Sequence, residues 1–384
     1  MNTYATEKLL RIAKRFNNQK RTYLLINPLQ AKHIPVSPKD SLDMMKTLGS
    51  MLANKYPYTK LVIGFAETAT AIGAVVAESF SSKCVYIHTT REHVPGVIQW
   101  VRFAEEHSHA VEQSLAADNI SAWMSATDSI VFVDDEISTG KTLTNMVEQL
   151  KQKYPQLKNK RIIAASILNR VSREDEEKLL SAGIVCEYLM KLPQTDYSHM
   201  VKDITIHEAP NAESAKVETV YQALFCENFD NPRVGIQIGR YKHSCEEMSE
   251  TFLAQFVHKI KKGSSILVLG TEECMYPALK LGAVLEELGQ DYCVRCHATA
   301  RSPIGVCTDD DYPITSGHKL VSFYDVTRPT YIYNLQEYDT VIVVADSSVK
   351  DFSALESLVG AFPNKKAIQF FYIQGGKHVW CTKQ

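Results

Sequence analysis

No stretch of the 384 residues approaches the roughly 20 consecutive apolar residues that a membrane-spanning helix needs. The first 21 residues also lack the uninterrupted apolar segment of an export signal, so a cytoplasmic location is expected. Nine cysteines, an odd number without such a signal, favour free thiols over a disulfide framework. Neither sign of charge is in excess, with 42 Lys plus Arg against 44 Asp plus Glu and a formal net charge of -2. There is thus no overall basic field to attract nucleic acid, and no helix-turn-helix pattern. Neither a membrane nor nucleic acid is an expected partner. The N-terminal stretch reads instead as a basic amphipathic helix, with Leu9, Ile12, Ala13 and Phe16 on its apolar side, docked on its own domain.

What is present is an ordinary folding composition, 45% hydrophobic and 22% charged, at a length that predicts two or three domains. Short β-rich runs at 23–26, 60–63, 84–88, 129–133, 162–168, 265–269, 292–296 and 340–344 alternate with helical spacing, as at 143–150 and 281–288. That alternation predicts an α/β protein with two Rossmann-like parallel-sheet domains. The chain also resembles itself. LVIGFAET (61–68) matches LVLGTEEC (267–274), TTREHVPG (89–96) matches TARSPIG (299–305), and SIVFVDD (129–135) matches TVIVVAD (340–346). Three matches in one order point to a tandem duplication, with a boundary in the polar 226–233 stretch and domains at 1–228 and 229–384.

The strongest chemical motif is VFVDDEISTGKT (131–142), an apolar strand that delivers two acids and then a small polar loop opening a helix. The helix N-terminus offers N–H groups and positive dipole, Gly140 permits close backbone approach, and Ser138, Thr139 and Thr142 add hydroxyls. Adjacent Asp134 and Asp135 suit a ribose diol and favour Mg2+ nearby. A P-loop is excluded, because Asp135 stands where that motif requires glycine, six residues before Lys141.

This motif resembles the signature of the type I phosphoribosyltransferases for 5-phosphoribosyl 1-diphosphate (PRPP). The resemblance implies that Asp134 and Asp135 hold the ribose hydroxyls and that Ser138, Thr139, Gly140, Lys141 and Thr142 cradle the 5-phosphate. Glu136 departs from the family's apolar residue, and either reaches the site or faces solvent. AKHIPVSP (31–38), GFAETATAIG (64–73), FAEEHSHA (103–110), GTEECMYPAL (270–279) and ARSPIG (300–305) extend the resemblance. Together they resemble phosphoribosyltransferase plus TRSP-domain proteins of bacterial tellurite-resistance-type stress gene clusters. That resemblance implies a role in making a nucleoside-like metabolite. Ala300 replaces the threonine of the TRSP signature.

By the same resemblance the loop at 64–69, with Gly64, Ala66, Glu67 and Thr68, meets diphosphate through backbone N–H groups and Mg2+. The ionisable segment 89–115 is expected to be a catalytic lid, in which Arg91 and Arg102 stabilise the leaving diphosphate and Glu105 or His107 serves as acid or base. Lys32 and His33 are candidates for a hood over the acceptor base, and Tyr188 for stacking on it. In the second domain Glu272, Glu273, Tyr276, Arg301, Ser302 and Asp346 gather at the matching strand ends. No TGKT loop follows Asp346, so this copy is not expected to bind PRPP in the same way. Cys293 and Cys296 lie three apart on a strand, hence on opposite faces, and read as thiols rather than metal ligands.

The expected activity is Mg2+-dependent phosphoribosyl transfer from PRPP to a nucleobase-like acceptor. The competing class is a non-enzymatic PRPP or nucleotide sensor of the same fold, against which the length of the lid segment argues. The sequence leaves the acceptor and the oligomeric state open, and is compatible with a homodimer.

Overall fold

The computed structural model describes residues 4, 6–18, 21–103 and 113–382. Two compact units result, one of Met1–Ala5, Asp43–Thr195 and Asp230–Lys242, the other of Thr6–Leu42, Asp196–Phe229 and His243–Gln384. They interleave along the chain, where the 226–233 stretch suggested a single cut. The reason is strand pairing: Ile236–Gln237 adds to Val85–His88 in the first sheet, while Thr219–Ala223 adds to His378–Thr382 in the second.

The first unit is built on a six-stranded sheet ordered Ile236–Gln237, Val85–His88, Leu61–Gly64, Ser129–Ile137, Arg161–Asn169, Ile184–Lys191. All neighbours are parallel except the first pair. The Leu61–Gly64 strand is buried throughout and Arg161–Asn169 is buried after its first residue, as expected of parallel strands covered on both faces. Alternate residues Leu61, Ile63, Ile130, Phe132, Ile162 and Ala164 face one core. Against them pack Leu143, Met146, Val147 and Leu150, whose three- and four-residue spacing forms the buried stripe of helix Lys141–Lys153. The hairpin of Trp100–Phe103 and Gln113–Ala116 adds Val101, Phe103 and Leu115 to this core.

The second unit carries a six-stranded sheet ordered Thr219–Ala223, His378–Thr382, Gln369–Gln374, Thr340–Ala345, Ser265–Gly270, Cys293–Ala298. Its last four strands are mutually parallel, and the other two complete it antiparallel. The two sheets share a plan. In each, the first strand of the repeat (Leu61–Gly64 or Ser265–Gly270) sits between the second (Val85–His88 or Cys293–Ala298) and the third (Ser129–Ile137 or Thr340–Ala345). In each, a hairpin is inserted between the second and third strands, at Trp100–Ala116 or Gly317–Tyr333. The internal resemblance in sequence is therefore a resemblance in architecture.

One expected element is different. Residues 11–14 form a strand, Arg11–Lys14, antiparallel to Tyr23–Ile26, and helix is confined to Thr6–Leu9. Ala13 and Ile26 bury into a cluster with Ile304, Tyr331 and Tyr333 of the second unit. Four apolar residues satisfy helical or strand spacing almost equally, and tertiary pairing decides between them. All nine cysteines are free, Cys296 buried and Cys293 exposed as residues on opposite strand faces. No helix among the described residues is long and apolar enough to cross a membrane.

Helix Thr70–Glu78 lies so close to the first sheet that a Cβ on Gly73 would stand 2.9 Å from the Tyr86 ring and 3.2 Å from Gly64 Cα. Tyr86 is itself fixed, because its hydroxyl donates to Thr70 O. Gly73→Val should destabilise the first unit by about 1–3 kcal/mol through overpacking, visible as a lower first transition in thermal unfolding. An unchanged transition would contradict the close packing.

Candidate functional site

In the first sheet the strand order reverses between Leu61–Gly64 and Ser129–Ile137, and crevices at the carboxyl ends of such strand pairs are where α/β sheets bind ligands. Three segments converge there. The first is the end of Ser129–Ile137, which continues four residues past its expected limit and carries Asp134, Asp135 and Glu136 within the strand. Asp135 accepts a hydrogen bond from Thr68 Oγ1 at 2.8 Å, and Asp134 Oδ1 accepts from the Asp135 backbone N–H at 2.9 Å. Both acids are half-buried. Glu136 does not face solvent. Its Oε1 lies 3.0 Å from Arg170 Nη1, with the two side chains 10% and 7% exposed, and Arg170 Nη2 donates to Thr195 O at 2.8 Å.

The second segment is the loop from Ser138 to Thr142. Gly140 adopts a left-handed conformation (φ 75°) and begins the helix Lys141–Lys153, whose first N–H donates to Thr139 Oγ1 at 3.3 Å. A Cβ at Gly140 would press on the end of the Leu179 side chain, 2.8 Å away at Cδ1, and the left-handed φ is what calls for glycine here. Ser138, Thr139 and Thr142 are half-buried around this turn, and Lys141 is exposed.

The third segment is the loop after Gly64. Phe65 N donates to Val133 O at 2.9 Å, Ala66 N to Thr89 Oγ1 at 2.8 Å, and Ala69 N to Phe65 O at 3.1 Å. The Ala66–Glu67 peptide is cis. Ala66 O accepts from Gln113 Nε2 at 3.0 Å, and Gln113 Oε1 accepts from the Thr89 hydroxyl. Gln113, buried opposite Phe103 in the pair of strands Trp100–Phe103 and Gln113–Ala116, ties that pair, the end of the second strand and the loop together. Sequence reasoning missed it, since a lone glutamine carries no spacing signal.

The other expected residues are more dispersed. Arg91 is half-buried just past the bridge between Thr90 and Ser114. Arg102 is exposed, because its neighbours Val101 and Phe103 turn into the core. Glu105 and His107 lie outside the described residues. Tyr188 pairs in register with Ser166, which in turn pairs with Asp134. Two strand spacings thus separate Tyr188 from Asp134, about 10 Å. Lys191 Nζ lies 5.2 Å from the Tyr188 ring centroid.

Lys32 and His33, the candidates for a hood over the acceptor base, belong to the second unit. The preceding strand, Tyr23–Ile26, joins the second unit's packing and carries them with it. Lys32 is fully buried, its Nζ donating to Glu272 O at 2.9 Å and Thr299 O at 2.8 Å. His33 is buried in the same unit.

The second unit repeats the first unit's loop tether. Thr299 Oγ1 accepts from Glu272 N at 3.0 Å as Thr89 Oγ1 does from Ala66 N, and Thr271 N donates to Val344 O as Phe65 N does to Val133 O. Glu272, Glu273 and Arg301 come together as expected: Arg301 Nε lies 2.7 Å from Glu272 Oε2, and Arg301 Nη2 3.3 Å from Glu273 Oε1. The hairpin tip brings three unforeseen partners. Arg328 Nη2 lies 2.8 Å from Glu272 Oε2, Ser322 Oγ donates to Glu272 Oε1, and Tyr324 OH donates to Asp346 Oδ1. Tyr276 and Ser302 are used in packing, Tyr276 buried under Lys280 and Ser302 O accepting from Tyr333 OH.

Residues 9–190 match the family model described as phosphoribosyl transferase, and residues 230–362 match the model of the TRSP domain C-terminal to it. The chain carries a phosphoribosyl transferase domain followed by a TRSP domain. No curated protein matches the chain. Among solved structures it is similar to the adenine phosphoribosyltransferase (APRTase) of Giardia lamblia complexed with 9-deazaadenine, at 16% identity over 49% of this chain and 96% of that one, TM-score 0.33. The adenine phosphoribosyltransferase of Trypanosoma brucei, in complex with AMP, pyrophosphate and ribose-5-phosphate, gives 15% identity over 47% and 76%, TM-score 0.33. The orotate phosphoribosyltransferase of Aeropyrum pernix gives 15% over 49% and 92%, TM-score 0.29. The family model makes the chain an enzyme of the glycosyltransferase class, and the paired acids and the two loops lie within its matched span.

Two predictions follow from this geometry. Gln113→Leu leaves the buried Ala66 carbonyl without its amide donor, and should lower stability by about 1–3 kcal/mol in denaturant titrations. An unaltered midpoint would show that the phosphoribosyl transferase loop is held by other contacts. In the second unit, burial aided by Lys32, His297 and Arg15 pushes His33 down to about 3, and burial pushes His297 down to about 4, from an ordinary value of 6.5. Below pH 6.5 the unfolded chain binds protons that the folded chain refuses, so stability is full above that pH and falls as pH drops toward 4. Denaturant midpoints at pH 7 and pH 5 would test this, equal values counting against it.

Proposed function

We propose that the first unit catalyses Mg2+-dependent transfer of ribose 5-phosphate from PRPP to a nitrogenous base or base-like acceptor, releasing diphosphate. The observation that supports it best is the 2.8 Å hydrogen bond from Thr68 to Asp135, which joins the acid-bearing strand end to the neighbouring loop across the point where strand order reverses. A ligand in that crevice would meet carboxylates, a helix N-terminus and a loop of backbone amides at once. Asp134 and Asp135 would accept hydrogen bonds from the ribose hydroxyls, and residues 138–142 would hold the 5-phosphate at the helix N-terminus. The loop at 64–69 would take the diphosphate, with Arg91 and Arg102 as its cations.

In the reaction the bond from the anomeric carbon to diphosphate oxygen breaks with its electron pair leaving on diphosphate, and the acceptor nitrogen supplies the pair for the new bond. The carbon is oxocarbenium-like between these events, so the protein contributes mainly by positioning and by stabilising the leaving charge. Glu105 or His107 would move the acceptor's proton. Mg2+, when bound, would neutralise the diphosphate. Asp134 and Asp135 are hard oxygen donors of the right kind, and among the described residues no group of three or more metal-ligating side chains occurs. The remaining ligands would come from PRPP and water.

The proposal assigns 1–228 to the phosphoribosyltransferase half and 229–384 to the TRSP half, in a cytoplasmic protein without nucleic-acid or membrane partners. It extends to a nucleoside-like product and a tellurite-resistance-type stress setting. Incubating the chain with PRPP, Mg2+ and a panel of bases, and following diphosphate by phosphorus NMR, tests it: base-dependent release is expected, and no release or PRPP binding would end it. Asp135→Asn retains an oxygen acceptor for Thr68 and should melt like the parent. Its PRPP affinity should fall roughly tenfold or more, the worth of a charged hydrogen bond. Undiminished affinity would remove Asp135 from the ribose site.

A further inference from the structure

We propose that the second unit contains a separate anion site, for a diphosphate or phosphate-ester group, which its own Glu272 occupies and holds shut. Two guanidinium groups from different segments, Arg301 after the second strand and Arg328 at the hairpin tip, converge on a single oxygen, Glu272 Oε2, at 2.7 and 2.8 Å. Planar donor forks of this kind match carboxylate and phosphate oxygens alike, so the pair that grips Glu272 is equally suited to a phosphoryl group. Ser322 Oγ, which donates to the other Glu272 oxygen, completes a three-armed cradle.

The place is that of a ligand. Glu272 follows the first strand of the repeat, Arg301 the second, and Asp346 the third, at the carboxyl ends where the order of the parallel strands reverses. The backbone that presents the carboxylate is strained, since Glu272 has a φ of 46°, in the left-handed region that residues with a Cβ avoid. Strain of that kind marks sites where position matters more than local stability. The matching residue of the first unit, tethered by the same threonine hydroxyl, is Ala66, which projects no charge. Where the first unit has a methyl group, the second has an anion already in place.

The charge balance supports exchange rather than a fixed salt bridge. Lys32, Arg301 and Arg328 surround Glu272 and Glu273, so expelling the Glu272 carboxylate and admitting a phosphoryl group keeps the cations neutralised. Arg328 is the solvent-side member of the cluster, 27% exposed against 10% for Arg301 and 0% for Glu272. Lifting the hairpin tip, with Arg328 and Tyr324, is the way in. The inference does not depend on the reaction assigned to the first unit.

The test is calorimetric titration of inorganic diphosphate, and in parallel of ribose 5-phosphate, into the full-length parent, Glu272→Gln and the double variant Glu272→Gln with Arg328→Ala. The first unit is the same in all three, so any difference belongs to the second. Glu272→Gln should bind one of the two probes on the order of tenfold more tightly than the parent, and the added Arg328→Ala should abolish that gain. Gain with diphosphate alone identifies a diphosphate site, and gain with ribose 5-phosphate a monoester site. No gain, or a gain that survives Arg328→Ala, overturns the proposal. Should Glu272→Gln fail to fold, hydrogen exchange of the parent at Gly317–Tyr333 decides: millimolar probe should alter exchange there, and unchanged exchange overturns it.

Discussion

Beyond the carboxyl end of a parallel strand the backbone loses its ladder partners, and each amide and carbonyl there must be satisfied by something else. In both units the answer begins with one threonine hydroxyl. Thr89 receives the amide of Ala66 and Thr299 that of Glu272, so each loop is pinned to the end of the neighbouring strand. What pins the next carbonyl then sets the two units apart. Ala66 O is met by the neutral amide of Gln113, and Glu272 O by the ammonium of Lys32. A neutral clamp adds no charge at the Ala66 carbonyl of the first loop. A buried lysine adds a cation to the second, and the carboxylates of Glu272 and Glu273 sit among it and two arginines.

The same divergence appears at the third strand. In the first unit the strand passes Asp134 and Asp135 and runs directly into the turn at Gly140 and a thirteen-residue helix, so a helix N-terminus stands beside two acids. In the second unit the strand ends at Ala345, Asp346 is engaged by Tyr324, and helix resumes only at Ser353–Gly360. No helix N-terminus adjoins that strand end. The second copy therefore relies on side-chain cations where the first relies on backbone dipoles.

Much of this was legible because parallel strands buried on both faces write themselves as unbroken apolar runs, and because a phosphate loop needs small residues at fixed distances from its strand. The strands from 61 to 344 and the segment from Asp134 to Thr142 carry such signals. Gln113, Ser322, Tyr324 and Arg328 carry none, since each reaches its partner from a hairpin tens of residues away and acts through one hydrogen-bonding group. That Lys32 and His33 fall in the second unit was illegible for a related reason: proximity in sequence to a strand does not say which unit that strand joins. Glu136 shows the limit within a motif, where a charge in an apolar slot was explained only by Arg170, 34 residues on.

The cluster around Glu272 is hard to explain as a stabilising device. Taking charges out of water costs several kcal/mol per ion, and apolar replacements of buried ion pairs are often neutral or more stable by about 1–4 kcal/mol. A hairpin that only had to stay closed could have been held by Phe323 and its apolar neighbours, which already pack into the second core. Instead the tip is fastened by an arginine to a carboxylate on a strained backbone, beside a second arginine that a phosphoryl oxygen could equally satisfy. Such a fastening is costly to leave half-made but readily exchanged for another anion of like charge, and that property is useful only if the hairpin opens.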